Sequence, residues 1–250
     1  MVMRMKISEI LEYTEFRSFL NRAKTVKTLL IGDICTDIYW SCDMTKSRLS
    51  RETPHFPLPV VRERMSLGAG GNAAGCIKSL GVSDLSVIGV VRNDWRGKCL
   101  RRLLAERGIP DDSVITERTG FTNAYIKPMK FGFSGEEVES AAALGKTPDR
   151  NADISEYALL AKELSDKMGS GVCMTVGDKG SITVNGSAKL IPAVAIKPPF
   201  DVVGAGDCFL SAFSTAVAAG SPFEKAALFG NMASSIVVKK IGTTGSASPE

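Results

Sequence analysis

Short apolar runs, each bounded by turn residues and separated by stretches of helical periodicity, set the fold class. Residues 27–33 (KTLLIGD) form one such run, ending in Gly-Asp, which predicts a buried strand with its carboxyl end at Asp33. Residues 72–80 read as a helix closed by Gly81, and residues 85–91 as a second buried strand. Residues 95–107 form an amphipathic pattern with Leu100, Leu103 and Leu104 inward and Gly108 after its end. Its Arg96, Lys98, Arg101, Arg102 and Arg107 read as a solvated face. Residues 121–133 alternate loosely, as a strand or hairpin does. A helix over 153–168 precedes a strand over 171–176, the turn 177–180 and a strand over 181–184. Helices over 205–219 and 223–239 are separated by Gly220-Ser221-Pro222, and residues 5–23 carry a rough helical spacing. Alternating strands and helices predict an α/β fold with a largely parallel sheet, which binds ligands beyond the carboxyl ends of its strands.

The remaining sequence properties exclude more than they identify. At 250 residues the chain can bury a sizeable core, and a formal charge of +4 does not argue for nucleic acid or anionic membrane as the main partner. No apolar run reaches bilayer length, and Glu9, Glu12, Glu15 and Arg17 break any signal-peptide core. The six cysteines form no C-x-x-C and the single histidine, His55, has no orienting partner in sequence, so neither a Cys/His zinc site nor histidine catalysis is expected. Scattered thiols without an export signal predict a cytoplasmic protein.

Three segments carry chemistry. Asp201-Val202-Val203-Gly204-Ala205-Gly206-Asp207 leads straight into an apolar helix. Gly204 and Gly206 permit a tight turn and close approach of a ligand. The helix start directs amides and positive dipole at an anion. Asp207 in the same turn suits a general base toward an attacking hydroxyl, although a simple helix cap explains it as well. Gly68-Ala69-Gly70-Gly71-Asn72-Ala73-Ala74 also opens a helix. It fits a dinucleotide turn loosely, but the residues before it are polar, so a turn pressed against a polyhydroxylated ligand, or a structural turn, fits too. Gly32-Asp33 and Asp37 place two carboxylates at a strand's carboxyl end, where they can grip vicinal hydroxyls or serve as cap and surface acid. Gly145-Lys146-Thr147 is not a P-loop, because the pattern requires Gly where the chain has Ser140.

In combination these segments resemble the ribokinase-like (PfkB) family of carbohydrate kinases. Residues 201–207 are similar to its Asp-Thr-x-Gly-Ala-Gly-Asp signature, with Val202 for Thr, and Gly70–Ala74 to its N-terminal sugar signature. Residues 175–180 resemble its nucleotide-side strand and turn, and residues 230–234 the helix beside the adenine pocket. Residues 50–61 and 240–250 look most like the heptose-7-phosphate kinase branch. The resemblance implies a three-layer α/β/α fold with a small β lid, ATP and Mg²⁺ as cofactors, Asp207 as base and Gly204, Ala205 and Gly206 as anion hole. It implies Asp33, Asp37, Gly70, Gly71 and Asn72 around the sugar, and Thr175, Gly177, Lys179, Gly180 and Asn231 around the nucleotide. Lys127, like Arg48 and Arg51, is either a contact for a phosphate on the acceptor or solvated. The expected layout is an N-terminal helical extension over 1–24 and a kinase domain over 25–250, with lid segments near 38–60 and 121–133. An exposed lid strand favours a homodimer.

The resemblance breaks in the middle. Ser134-Gly135 leads directly into residues 136–145, which look like the family's Asn-x-x-Glu segment with Glu136 for Asn and Glu139 as the Mg²⁺-side acid. Roughly 70 residues are then absent near 133–136, about a quarter of a typical domain. Such a loss should expose apolar surface and strand edges. Three functions follow: a sugar kinase, a related protein that binds sugar phosphate or nucleotide without catalysis, and, least supported, a dinucleotide-dependent oxidoreductase built on residues 68–73.

Overall fold

A computed structural model describes residues 3–52, 54, 57–130, 153–242 and 245–248. His55, Glu136, Glu139 and the expected break near 133–136 lie outside the described residues. By its contacts the chain divides into two units: residues 1–27, 79–84 and 136–250, and residues 28–78 and 85–135.

The first unit is built on a sheet of β1 (Met3–Arg4), β8 (Val172–Thr175), β9 (Ser181–Asn185) and β10 (Ser187–Ile191), in the order β1-β10-β9-β8. β1 joins β10 in parallel, while β8, β9 and β10 form an antiparallel meander. Strand β10, absent from the sequence reading, turns back after Asn185-Gly186, with Gly186 at φ +88°. Helix α5 (Ile154–Met168) packs Ile154, Ala158 and Ala161 on Val172, Ile182 and Val184, and ends at Gly169 in the left-handed region, the usual way to stop a helix. The residues over 5–23 form α1 (Ile7–Ile10) and α2 (Tyr13–Ala23), while α6 (Ala205–Ala218) and α7 (Phe223–Val237) make a hairpin. Phe19, Leu20 and Ala23 of α2 are buried with Ala216, Ala226 and Phe229, and the Phe19 and Phe229 rings stack at 3.9 Å. The N-terminal helices are therefore part of this unit's core.

The second unit holds two three-stranded sheets. One is β2 (Lys27–Ile31), β5 (Asp84–Arg92) and β6 (Val114–Glu117), ordered β2-β5-β6, with β5 and β6 parallel. Alternate residues of β5 (Leu85, Val87, Val91) are buried, as are Leu100 and Leu104 of α4 (Trp95–Glu106). On β2, however, Leu29 and Ile31 are 54% and 69% exposed, and Val90 and its β6 neighbour Ile115 are also exposed. A parallel sheet is ordinarily covered on both faces, so this is unusual surface. The other sheet is β3 (Ile34–Cys42), β4 (Val60–Ala69) and β7 (Ala124–Lys130), ordered β4-β3-β7. β3 pairs antiparallel with β4 and parallel with β7. The polar stretch before Gly70 is thus a strand: its alternation puts Arg62, Arg64 and Ser66 on one face and leaves Leu67 buried. It runs directly into α3 (Gly70–Ser79), which starts two residues earlier than the sequence indicated. Among the described residues no helix is long and apolar enough to cross a membrane.

Candidate active site

The predicted site residues fall into two sets, one in each unit. In the second unit, Asp33 stands exposed in the bend after β2. Its carboxylate Oδ1 accepts a hydrogen bond from Asn123 Nδ2 at 3.1 Å, and its carbonyl accepts from the Gly70 amide at 2.9 Å. Gly70 is required there, since a Cβ would lie 2.7 Å from that carbonyl. Gly71 is not under the same demand, because a Cβ would make only ordinary contact with Leu67. Asn72 is 1% exposed; it has polar contacts, yet its Oδ1 is buried and accepts no hydrogen bond among the described residues.

Asp37 is buried, 5% exposed, and its Oδ2 accepts from Lys127 Nζ at 3.1 Å and from the Tyr39 hydroxyl at 3.4 Å. The pair is possible because β7 runs parallel to β3, with Tyr39 opposite Lys127 and Asp37 opposite Tyr125. Arg64 of β4 lies opposite Tyr39 on its other side and stacks on its ring at 3.9 Å. One face of this sheet therefore carries Arg64, Tyr39 and Lys127 in a row beside Asp37. Gly68 borders the same carboxylate, and any Cβ there would collide with Asp37 Oδ1. Arg48 and Arg51 are not in this row.

Asp94 ties the group together. It caps α4 by accepting from the Gly97 amide at 2.8 Å, and it takes both the hydroxyl and the amide of Thr122, at 2.6 and 3.0 Å. Burial pushes the Asp94 carboxyl up, but the Thr122 hydroxyl, the Gly97 and Thr122 amides and the nearby Arg96 outweigh it and hold it below its ordinary value. Asp94 before a helical run was legible as a cap. Its link to Thr122 was not.

In the first unit, Gly204 takes φ +81° as the N-cap of α6, and Asp207 occupies the first turn. The Ala205 amide donates to the Val202 carbonyl at 3.1 Å, so that member of the expected anion hole is already committed. A Cβ on Gly206 would meet nothing within 4 Å, so its backbone borders open space at the positive end of a 14-residue helix. Asp201 anchors the approach: its carboxylate accepts from the Val203 amide at 3.0 Å and the Gly242 amide at 2.8 Å. Ser234 of α7 donates to the Ala205 carbonyl at 2.8 Å. The sequence placed Asp201 in the signature without assigning it this bracing.

The residues expected on the nucleotide side are partly structural. Thr175 ends β8, and Gly177–Lys179 form a single 3₁₀ turn closed by Gly180 at φ +106°. Gly180 also lies so close to the Ile191 carbonyl that no Cβ fits. Lys179 Nζ lies 5.9 Å from the Tyr157 ring. Asn231 is buried and its Nδ2 donates to the Ile191 and Pro192 carbonyls at 3.2 and 3.0 Å. Among the described residues no group of three or more metal-ligating side chains forms, and Glu139 lies outside them. The helix start and the space at Gly206 fit the phosphates of a nucleotide.

Residues 133–250 match the model of the pfkB family carbohydrate kinases. The bifunctional protein HldE of Nitrosococcus oceani is 25% identical over 297 residues, covering 88% of this chain and 62% of its own length. The HldE of Sulfurimonas denitrificans is 27% identical over 301 residues, with 88% and 62% covered. The chain thus spans about three fifths of the length of these curated relatives. Moreover, 88% of 250 is 220, against an alignment of 297 positions, so about 77 positions of the Nitrosococcus protein have no counterpart here. Among solved structures, ribokinase of Arabidopsis thaliana complexed with ribose and ATP aligns with a TM-score of 0.63 at 18% identity, covering 88% of this chain and 94% of that one. Phosphofructokinase-2 of Escherichia coli in complex with potassium aligns at 0.69 and 15% identity, covering 89% and 96%. The chain is thus similar to the pfkB family carbohydrate kinases over residues 133–250, and it shares the fold of the ribokinase-like structures.

Proposed function

We propose that the chain is an ATP-dependent carbohydrate kinase that phosphorylates a hydroxyl of a sugar or sugar phosphate, with heptose 7-phosphate as the first acceptor to test. The observation that carries this reading is the Gly204–Asp207 helix start, where an open backbone, a helix dipole and a carboxylate occupy one turn. When bound, ATP with Mg²⁺ supplies the transferable phosphoryl group. Asp207 takes the proton of the attacking hydroxyl, and the α6 amide end stabilises negative charge on the transferring group. Asp33, Asp37 and Asn72 accept and donate hydrogen bonds to the acceptor, while Gly70 lets the backbone come close. Thr175, Gly177, Lys179 and Gly180 form the nucleotide side, with Asn231 holding residues 191–192 in place behind them. Supporting the reading are the family match over residues 133–250 and a fold shared with a ribokinase bound to ribose and ATP.

A second reading has its own observation. The exposed Leu29 and Ile31 on β2, and the 77 unmatched positions of the relative, favour a protein that binds a sugar phosphate or nucleotide without transferring phosphate. The test is ADP release from MgATP against free sugars, hexose and heptose phosphates and nucleosides, with unaltered chain and Asp207→Asn side by side. The kinase reading expects acceptor-dependent release that falls about 10²–10⁴-fold in the variant. Release that is equal in both would refute the role of Asp207. Silence from a folded protein that still binds ligand would establish the second reading.

A further inference from the structure

We propose that Asn123 is a positioning residue of the acceptor site, acting through Asp33; the inference rests on the kinase reading above. Asn123 holds the segment from Asp33 to Thr36 at two points. Its Nδ2 donates to Asp33 Oδ1 at 3.1 Å, and its carbonyl accepts from the Thr36 amide at 3.2 Å. No hydrogen bond to Asp33 Oδ2 forms among the described residues, so the contact fixes the carboxylate plane while leaving one oxygen to accept from a ligand. Asn123 is itself held. Thr122, 2% exposed, is bound through hydroxyl and amide to Asp94 and accepts from the Arg92 amide at 2.8 Å. Asp94 in turn caps α4. The acceptor-side carboxylate is therefore braced, through Asn123 and Thr122 just before β7, against the start of a 12-residue helix.

The contrast with Asp37 indicates what this bracing is for. Asp37 is buried against a lysine, which neutralises it. Asp33 is exposed and is given a neutral amide donor, so it is oriented without losing its charge. An oriented, uncompensated carboxylate with a free oxygen suits the vicinal hydroxyls of a sugar, and fixing it before binding removes part of the ordering cost of recognition.

The test is a double-mutant cycle of Asn123→Ala and Asp33→Asn, with ribose and heptose 7-phosphate as probes. Dissociation constants come from calorimetry, and KM and kcat from ADP release. In the unaltered background, Asn123→Ala should raise the dissociation constant and acceptor KM about five- to tenfold, the scale of one hydrogen bond, and change kcat less than twofold. In the Asp33→Asn background it should add nothing, and Asn123→Ser, which keeps a donor, should recover part of the affinity. Equal losses in both backgrounds, or unchanged affinity in Asn123→Ala, would overturn the proposal. If the unaltered chain binds neither probe, the kinase reading fails and this role falls with it. That result is distinct from an additive cycle on a chain that binds.

Discussion

The two units present their polar groups by opposite means. The unit with Asp33, Asp37 and Lys127 uses side chains that meet across strands: Asp37 with Lys127 and Tyr39, Asp33 with Asn123, Asp94 with Thr122. The unit with Gly204–Asp207 uses backbone, with a left-handed glycine, a helix start and the braces from Asp201 and Ser234. A side-chain network can discriminate among ligands but depends on every member. A backbone site gives general affinity for anions and depends on glycine and on what holds the loop.

This contrast generates predictions of decreasing size. Removing one member of the buried pair should cost most: Lys127→Ala leaves Asp37 buried without its cation, and chemical denaturation should show a loss of about 3 kcal/mol or more. A volume-conserving replacement of both residues should recover most of it. The backbone site has a weaker point in Asp201. Asp201→Ala frees the Val203 and Gly242 amides, and the same measurement should show about 1–3 kcal/mol lost.

Asp94 gives a pH signature. Its folded value lies below the ordinary carboxylate value, so its stabilisation is fully present above the unfolded value, near pH 3.9, and is lost as pH falls through the lower folded value. Stability curves of unaltered chain and Asp94→Asn should therefore differ at neutral pH and converge below about pH 4. A constant difference down to pH 3 would contradict the direction of that shift. The smallest effect on stability is expected at Gly206→Ala, where a methyl meets open space. Stability should stay within about 0.5 kcal/mol. Under the kinase reading turnover should nevertheless fall, because the methyl stands where the backbone would approach phosphate.

The same contrast explains what the sequence could and could not reveal. Gly204, the left-handed cap of α6, and Gly206 in its first turn leave a local glycine pattern at the start of an apolar helix, so the proposed anion-binding end of α6 was legible. The Asp33–Asp37 spacing was legible for the same reason. Their pairings were not: Lys127, read only as a phosphate contact or a solvated lysine, is held on Asp37, and it and Asn123 each lie 90 residues from the aspartate they meet, brought into reach by β7 and the residue before it running alongside β3. The strand before Gly70 was obscured because its middle is Arg62, Glu63 and Arg64, which carry no apolar signal on either face. Residues 27–31 were expected as a buried strand, and the structure corrects this: Leu29 and Ile31 of β2 are exposed, because among the described residues nothing covers that face; the short middle argued only for exposed apolar surface somewhere. The division of the strands among three separate sheets was not foreseen, because each strand's pattern is local and sheet membership is set by contacts far along the chain.

The most direct test of the account is transfer of the γ-phosphate itself. Unaltered chain is incubated with MgATP labelled on the γ-phosphate, with heptose 7-phosphate and ribose as acceptors, and the label is followed to product. Labelled sugar is expected to form only in the presence of acceptor. Label remaining on ATP, in a folded protein that binds both nucleotide and sugar, would contradict it and leave the chain a binding protein.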